Sequence, residues 1–499
     1  MRLKAHAWAV VVLAALAALV AVPAATTAPT TFPLAESQGF RKAVTVAGIR
    51  EHQAALQGIA TANDGTRSSG TDGYGDSIDY VVGRLEAAGY SPVVQPFEFA
   101  FFQELAPAVL EQTSPTPTTY ATGTFTYSGS GDVTAAVTPV DVQIPPGAAP
   151  NSSTSGCEAA DFAGFTPGNV ALIQRGTCTF GTKAANAQAA GASAVVIFNE
   201  GQPGRTDLIV GTLGAPFTIP VVGLSFADGA AIRNQTLDGP VTLHVKTSTE
   251  SEIRETFNVV AETPEGDPNR VVVVGAHLDS VLAGPGINDN GSGSGMILEI
   301  AEVFAAQDRE ARNKLRFMWY GAEEFNLLGS AFYVNGLSQA ERDKIELMLN
   351  FDMVGSPNFV RFVYDGNGSH TPVAGPPGSA AIEQVFLDYF SGVGLLNAPT
   401  AFDGRSDYGP FIAVGIPAGG LFTGAEGIKT AQQATDYGGQ AGTQYDPCYH
   451  QACDTFAGTG GGTSPGLGLT ALDQMSDAAA HAVLLWSKRN FDKEPLVTP

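Results

Sequence analysis

Three observations predict an α/β protein: a doubly wound, mostly parallel sheet with helices on both faces, joined to a smaller β-rich α+β insert. From residue 270 onward, unbroken apolar runs alternate with segments of helical spacing. Such runs suit strands covered on both faces of a parallel sheet, where each strand needs a crossover helix to reach the next. Residues 108–250 have a different texture, with Thr, Ser, Pro, Gly and short β-branched runs but little charge. Finally, 44% of the 499 residues are hydrophobic and only 15% charged, with 59 Gly and 31 Pro, so the chain can bury a core and is rich in loops.

The ends and the charge bound the setting. With 26 Lys+Arg against 49 Asp+Glu the formal charge is −23, which argues against nucleic acid or an anionic membrane as the main partner. Arg2 and Lys4 precede an apolar run over 7–22 and then small residues. This is the pattern of a signal peptide over 1–24, and the run is short for a bilayer core of about 30 Å, so secretion is expected rather than a stable membrane anchor. Residues 25–37 form a Thr/Pro-rich linker or short pro-segment. The four cysteines fall into two local pairs, Cys157 with Cys178 and Cys448 with Cys453. In an oxidising compartment these are expected disulfides; a Cys-based zinc site is the rival, but neither spacing is C-x-x-C.

In chain order, residues 38–92 predict two helices, the second over 74–88 and ended by Gly89. Residues 93–102 alternate like a strand. Within 108–250, a strand from 169 leads through Arg175-Gly176-Thr177-Cys178 to a helix of small residues over 182–190, then a buried strand over 194–199. A strand over 271–274, a helix over 296–306, a strand over 315–320, a helix over 331–337 and a strand over 347–353 follow. Residues 412–421 predict another strand, broken by Pro417 and two glycines, and 471–488 a closing helix. The expected organisation is therefore an α/β domain in two parts, 38–107 and 251–490, interrupted by the insert 108–250 and followed by a tail over 491–499.

In open α/β sheets the ligand crevice lies at the carboxyl ends of the strands. The first late strand runs into His277 and Asp279, then a Gly-rich turn holding Asp289. The second runs into Glu323 and Glu324, the third into Asp352, and His450 lies between the last two cysteines. Each has an ordinary explanation alone, as a turn, cap or core residue. Turn and cap residues have no reason to gather at one edge, so the set points to a metal centre, and mixed N/O ligands suit zinc. Five ligands exceed what one tetrahedral ion with an open position needs; they suit two ions sharing a carboxylate. Of the adjacent Glu pair, one can bind metal while the other stays free to transfer protons. Ca2+ could bind acidic loops, but no EF-hand pattern is present.

Two resemblances follow from these motifs. The strand, Arg175-Gly176-Thr177-Cys178 turn, helix and Asn199-ended strand resemble the protease-associated domain, with Lys183, Ala187, Ala190, Gly191 and Ala192 at matching places. The runs around His277, Asp279 and Asp289, around Glu323 and Glu324, around Asn350 and Asp352, and around Tyr449, His450 and Asp454 resemble the secreted co-catalytic di-zinc aminopeptidases of the leucyl type. That resemblance implies a zinc-exopeptidase fold and two Zn2+ ions, with His277 and Asp352 on one, Glu324 and His450 on the other, and Asp289 bridging. It implies Glu323 as general base and the Tyr449 hydroxyl as a donor to the developing oxyanion. Asp279 is expected to orient His277, and Asp454 to do likewise for His450. Arg405 matches a substrate-binding position, and Met353 and Phe422 are candidates for an apolar pocket. One departure is Phe325-Asn326, where the family often has Gly; Asn tolerates the left-handed conformation, so a turn can survive there.

The expected activity is hydrolysis of the N-terminal bond of peptides with free N-termini, with apolar first residues such as Leu preferred, by a monomer. Two alternatives keep the same fold: a carboxypeptidase or glutaminyl cyclase acting at the same site, and a non-catalytic binding protein, which predicts lost ligands where all five are present.

Overall fold

The structure, a computed structural model, describes residues 33–461 and 467–496. The expected signal peptide over 1–24 and residues 25–32 lie outside this range. Helices α1 (Leu34–Arg41), α2 (Val46–Ala62) and α3 (Asp72–Ala87) come first. There are three, not two: α1 begins at Leu34, within the segment 25–37 expected to be a linker, and Thr45 opens a separate helix after it, its side chain accepting from Gly48 N–H at 3.0 Å.

Strand β1 (Val93–Ser114) is twice as long as its alternating start indicated. It pairs antiparallel along its length with β7 (Thr242–Glu262), crossing register shifts between Glu104 and Ala106 and between Ala106 and Val109. Those bulges break the alternation that a strand prediction depends on. Between these two strands lie β2 (Thr118–Tyr120), β3 (Gly131–Val140), β4 (Val170–Gln174), helix α4 (Phe180–Ala189), β5 (Ala194–Phe198), β6 (Val221–Leu224) and α5 (Phe226–Asp238). Strands β3 to β6 pair in parallel, and their core of Val170, Leu172, Val196 and Leu224 is separate from the main one. A disulfide joins Cys157 and Cys178, with Cα atoms 5.8 Å apart.

The main part then alternates: β8 (Asp267–His277), α6 (Gly291–Ala306), β9 (Asn313–Tyr320), α7 (Leu328–Gly336), α8 (Gln339–Arg342), β10 (Ile345–Phe351), β11 (Phe362–Tyr364), α9 (Ser379–Gly392), β12 (Ala398–Thr400), α10 (Tyr408–Ala413), β13 (Ala418–Phe422), α11 (Ala431–Tyr437), α12 (Phe456–Gly461) and α13 (Leu467–Lys488). Strand order is β12-β11-β13-β10-β8-β9-β7, and the sheet continues through β3-β4-β5-β6. Strands β13, β10, β8 and β9 are mutually parallel, while β7 and β11 run antiparallel to their neighbours β9 and β13. The sheet is covered on both faces. Val272 and Val274 of β8 pack with Met296, Leu298 and Trp486, while Val271 and Val273 pack with Val334 and Phe411 on the other side.

Two strand boundaries differ from expectation in ways that matter. β10 ends at Phe351, so Asp352 and Met353 stand just beyond the strand rather than in it. Residues 412–421 are not one strand: 412–413 finish α10, Gly415 turns at φ +87°, and β13 starts only after Pro417. Proline supplies no N–H for a ladder, so pairing begins one residue later.

Candidate metal centre

Because β8, β9, β10 and β13 are parallel, their carboxyl ends share one edge, and each delivers a chemical group there. His277 is the last residue of β8, and its Nδ1–H donates to the Asp279 carbonyl at 3.2 Å, which leaves Nε2 as the lone-pair nitrogen facing the edge. The β8–α6 loop returns Asp289 to the same place. Asn290 caps α6, its Oδ1 accepting from Gly293 N–H at 2.8 Å and from Met353 N–H at 3.2 Å, while its amide donates to the Phe351 carbonyl at 2.9 Å. A Cβ at Gly293 would lie 2.2 Å from the Phe351 carbonyl, so only glycine lets the start of α6 approach β10 this closely.

The groups meet in two sets. Asp289 Oδ1 lies 3.2 Å from His277 Nε2, which is 3.3 Å from Asp352 Oδ1. Asp289 Oδ2 lies 3.2 Å from His450 Nε2, which is 3.0 Å from Glu324 Oε2. One carboxylate thus turns an oxygen to each set. Within each set the potential ligand atoms all lie within 4.8 Å of one another. Glu323 completes neither pair, with Oε2 3.9 Å from His277 Nε2, but with His277 and Glu324 it forms a third, overlapping group of ligand-type atoms within 4.8 Å. The chemistry of this donor set fits a pair of divalent cations. His277 Nε2, Asp352 Oδ1 and Glu324 Oε1 are buried without a hydrogen-bond partner, and such orphans are costly unless something satisfies them. Burial, with the nearby Asp289 charge, pushes Glu324 up to about 7. Burial also acts to lower His450, but hydrogen bonds to Asp289 and Glu324 overcome it and raise the imidazole to about 10. In both cases neighbouring carboxylates push the group upward, on top of burial for Glu324 and against it for His450.

The supporting contacts lie mostly beyond the reach of motif reading. Ser406 donates to Asp352 Oδ2 at 2.6 Å and accepts from the Asn350 amide at 2.8 Å, so Asp352 is aimed by a hydroxyl from the loop before α10. Arg67, fully buried, donates to the Leu278, Pro285 and Gly286 carbonyls and so fastens both ends of the loop between His277 and Asp289. Asp454 departs from its expected role. Its carboxylate accepts from the Asn288 and Asp289 N–H groups at 2.7 and 2.9 Å; it holds the Asp289 backbone rather than the His450 imidazole. Asp279 is 3.6 Å from His277 Nδ1 and also accepts from Glu323 N–H at 3.2 Å, so it links the two loops.

Asn326 and Leu327 both adopt left-handed backbone, at φ +74° and +60°, so the turn after the Glu pair survives without glycine. Beneath it, Phe325 packs edge-on against Phe99 of β1, with centroids 4.9 Å apart. Cys448 and Cys453 form a disulfide that closes the loop of Tyr449 and His450, whose rings stack at 3.8 Å. The edge opens into a cavity of about 340 Å³, which Met353, Phe422, Leu327 and Tyr364 line together with the polar set. At its mouth Arg405 pairs with Glu426 at 2.8 Å and donates to the Tyr449 hydroxyl at 3.1 Å. Arg405 is therefore both the surface ion pair and the neighbour of the site. Glu426, four residues past β13 in a Gly-rich loop, had no motif to mark it.

Comparison with known proteins places the chain in a family. Residues 258–467 match peptidase family M28 and residues 134–232 match the PA domain. The chain is 50% identical over 426 residues to an aminopeptidase of Pseudomonas aeruginosa (strain UCBPP-PA14), covering 84% of this chain and 78% of that one. It is 39% identical over 426 residues to leucine aminopeptidase 2 of Arthroderma otae, covering 85% and 82%. Among solved structures, an aminopeptidase from Aneurinibacillus sp. strain AM-1 superposes with a TM-score of 0.60 at 26% identity, over 91% of this chain and 97% of that one. A zinc aminopeptidase from Bacillus subtilis shares the fold, with a TM-score of 0.55 at 24% identity over 89% and 96%. The carboxypeptidase, cyclase and non-catalytic readings fall away, and the chain belongs to peptidase family M28 as an aminopeptidase with an inserted PA domain.

Proposed function

We propose that the protein is secreted and removes apolar N-terminal residues such as Leu from peptides, using two zinc ions. His277 and Asp352 would hold one, Glu324 and His450 the other, with Asp289 shared. The observation that carries this reading is the Asp289 carboxylate, with one oxygen 3.2 Å from each histidine. Such a pair of ions, when bound, supplies an acidified water and polarises the scissile carbonyl.

The chain's own residues do the rest. Glu323 is held by its backbone N–H to Asp279 with its carboxylate beside both sets, placed to take a proton from the attacking water and pass it to the leaving amine. The Tyr449 hydroxyl accepts from Arg405 and keeps its own proton to donate to the oxyanion. Asp352 and Glu323 favour a substrate ammonium, and Met353, Phe422, Leu327 and Tyr364 offer apolar surface to the first side chain. The disulfides support an oxidising compartment.

Glu323→Ala tests the assignment. It should keep the zinc content of the unaltered protein and lose about 10²–10⁴ in kcat on Leu-p-nitroanilide, the usual worth of a general base. A variant that turns over normally, or that loses its metal, would show that Glu323 is not the base.

A further inference from the structure

A second set of ligand-type side chains meets between α2 and α6, away from the centre above. His52 of α2 is 1% exposed, and its Nδ1 lies 2.9 Å from the Tyr80 hydroxyl of α3. Its Nε2 has no hydrogen-bond partner and faces Glu299 Oε2 and Glu302 Oε2, each at 3.9 Å. That is too long for a hydrogen bond. It suits atoms that share an ion between them, since ligands at about 2.0–2.2 Å from zinc stand about 3–4 Å apart.

The rest of the pocket is built toward the same point. Glu299 and Glu302 are three residues apart on α6, so one helical face presents both. Glu299 Oε1 accepts from the Thr45 N–H and hydroxyl at 3.1 and 3.3 Å, which turns Oε2 to the imidazole. Arg84 grips Glu302 by two bonds of 2.7 Å, and each carboxylate oxygen retains a second lone pair. A Cβ at Gly48 would fall 2.2 Å from the Glu299 carboxylate, so glycine keeps this space clear. Arg84 pairs with Glu51 and Glu302, and Glu299 adds a third carboxyl group beside Glu302 and His52. Burial pulls the His52 imidazole down to about 4, so it is neutral at ordinary pH; with Nδ1–H donating to the Tyr80 hydroxyl, Nε2 offers its lone pair to an ion.

We propose that His52, Glu299 and Glu302 bind a divalent transition cation that staples α2 to α6, separately from the centre around Asp289. An imidazole nitrogen with two carboxylates favours zinc over Ca2+.

Zinc itself is the probe. Asp289→Ala removes the shared ligand of the main centre, so its residual zinc reports the α2–α6 site. Metal analysis of that variant after equilibration with zinc and gel filtration should find about one ion per chain, and essentially none after adding Glu299→Gln. Excess Ca2+ should not displace it. No zinc in folded Asp289→Ala, or equal zinc with and without Glu299→Gln, overturns the proposal. If Asp289→Ala does not fold, Glu299→Gln alone decides: it should carry one zinc fewer than the unaltered protein and keep kcat/KM on Leu-p-nitroanilide within about twofold, since the main centre is untouched. Unchanged zinc content there overturns the proposal as well.

Discussion

Asp289 shows how much the centre depends on where a single carboxylate is held. Its two oxygens face different histidines because its own backbone is fixed: Asp454 accepts its N–H, and Asn290, the next residue, donates its side-chain amide to the end of β10. Arg67 does the same for the preceding loop. It is fully buried, with its charge among Asp279, Asp289 and Asp454, and burial pulls it down to about 10. Arg67→Met should therefore cost about 3–5 kcal/mol, because it leaves three buried carbonyls and several carboxylates uncompensated. Urea denaturation would measure it, and a change below about 1 kcal/mol would mean the loop is held by other contacts. The five residues that gather here were legible in the sequence because each lies at a strand's carboxyl end, in the loop that follows one, or in the last cysteine loop. Arg67 and Ser406 were not, since their partners lie 211 and 54 residues away in sequence and only the folded chain brings them together.

At the scale of elements, continuous apolar runs marked β8, β9 and β10 well because strands buried on both faces carry no alternation to misread. The failures have local causes. The bulges in β1 hid its second half, and Gly415 with Pro417 divided α10 from β13. The seam between α1 and α13 contains a titrating group with a measurable consequence. His481 is 3% exposed, its Nδ1 2.7 Å from the Ser37 hydroxyl, and burial, aided by Arg41, lowers it from 6.5 to about 4. Between pH 6.5 and 4 the unfolded chain takes up a proton that the folded chain refuses, so stability falls as the pH falls through that window. The full loss is about 3 kcal/mol from this histidine. His481→Gln should flatten that part of the pH–Tm curve relative to the unaltered protein. Parallel curves would place the acid sensitivity elsewhere.

Across the whole molecule, β1 and β7 form the connection that composition alone could not reveal. Each runs from the main sheet into the insert, so the PA domain sits on a continuation of the catalytic sheet. The same ribbon places Phe99 and Phe101 under Phe325, directly behind the Glu pair. The change in texture at 108–250 showed that an insert exists; its attachment through two long strands follows from pairing between residues some 150 apart. The edge of the sheet, the disulfide loop and the α10 loop then close around one cavity that opens to solvent and is lined by carboxylates. An aminopeptidase built this way should need both its metal and a free substrate ammonium. The most direct test compares Leu-Gly-Gly with N-acetyl-Leu-Gly-Gly on one preparation, before chelation, after it and after zinc is restored. Leu is expected to be released from the free peptide only, with release abolished by the chelator and recovered with zinc. Cleavage of the acetylated peptide at a similar rate, or activity that survives complete metal removal, would contradict this.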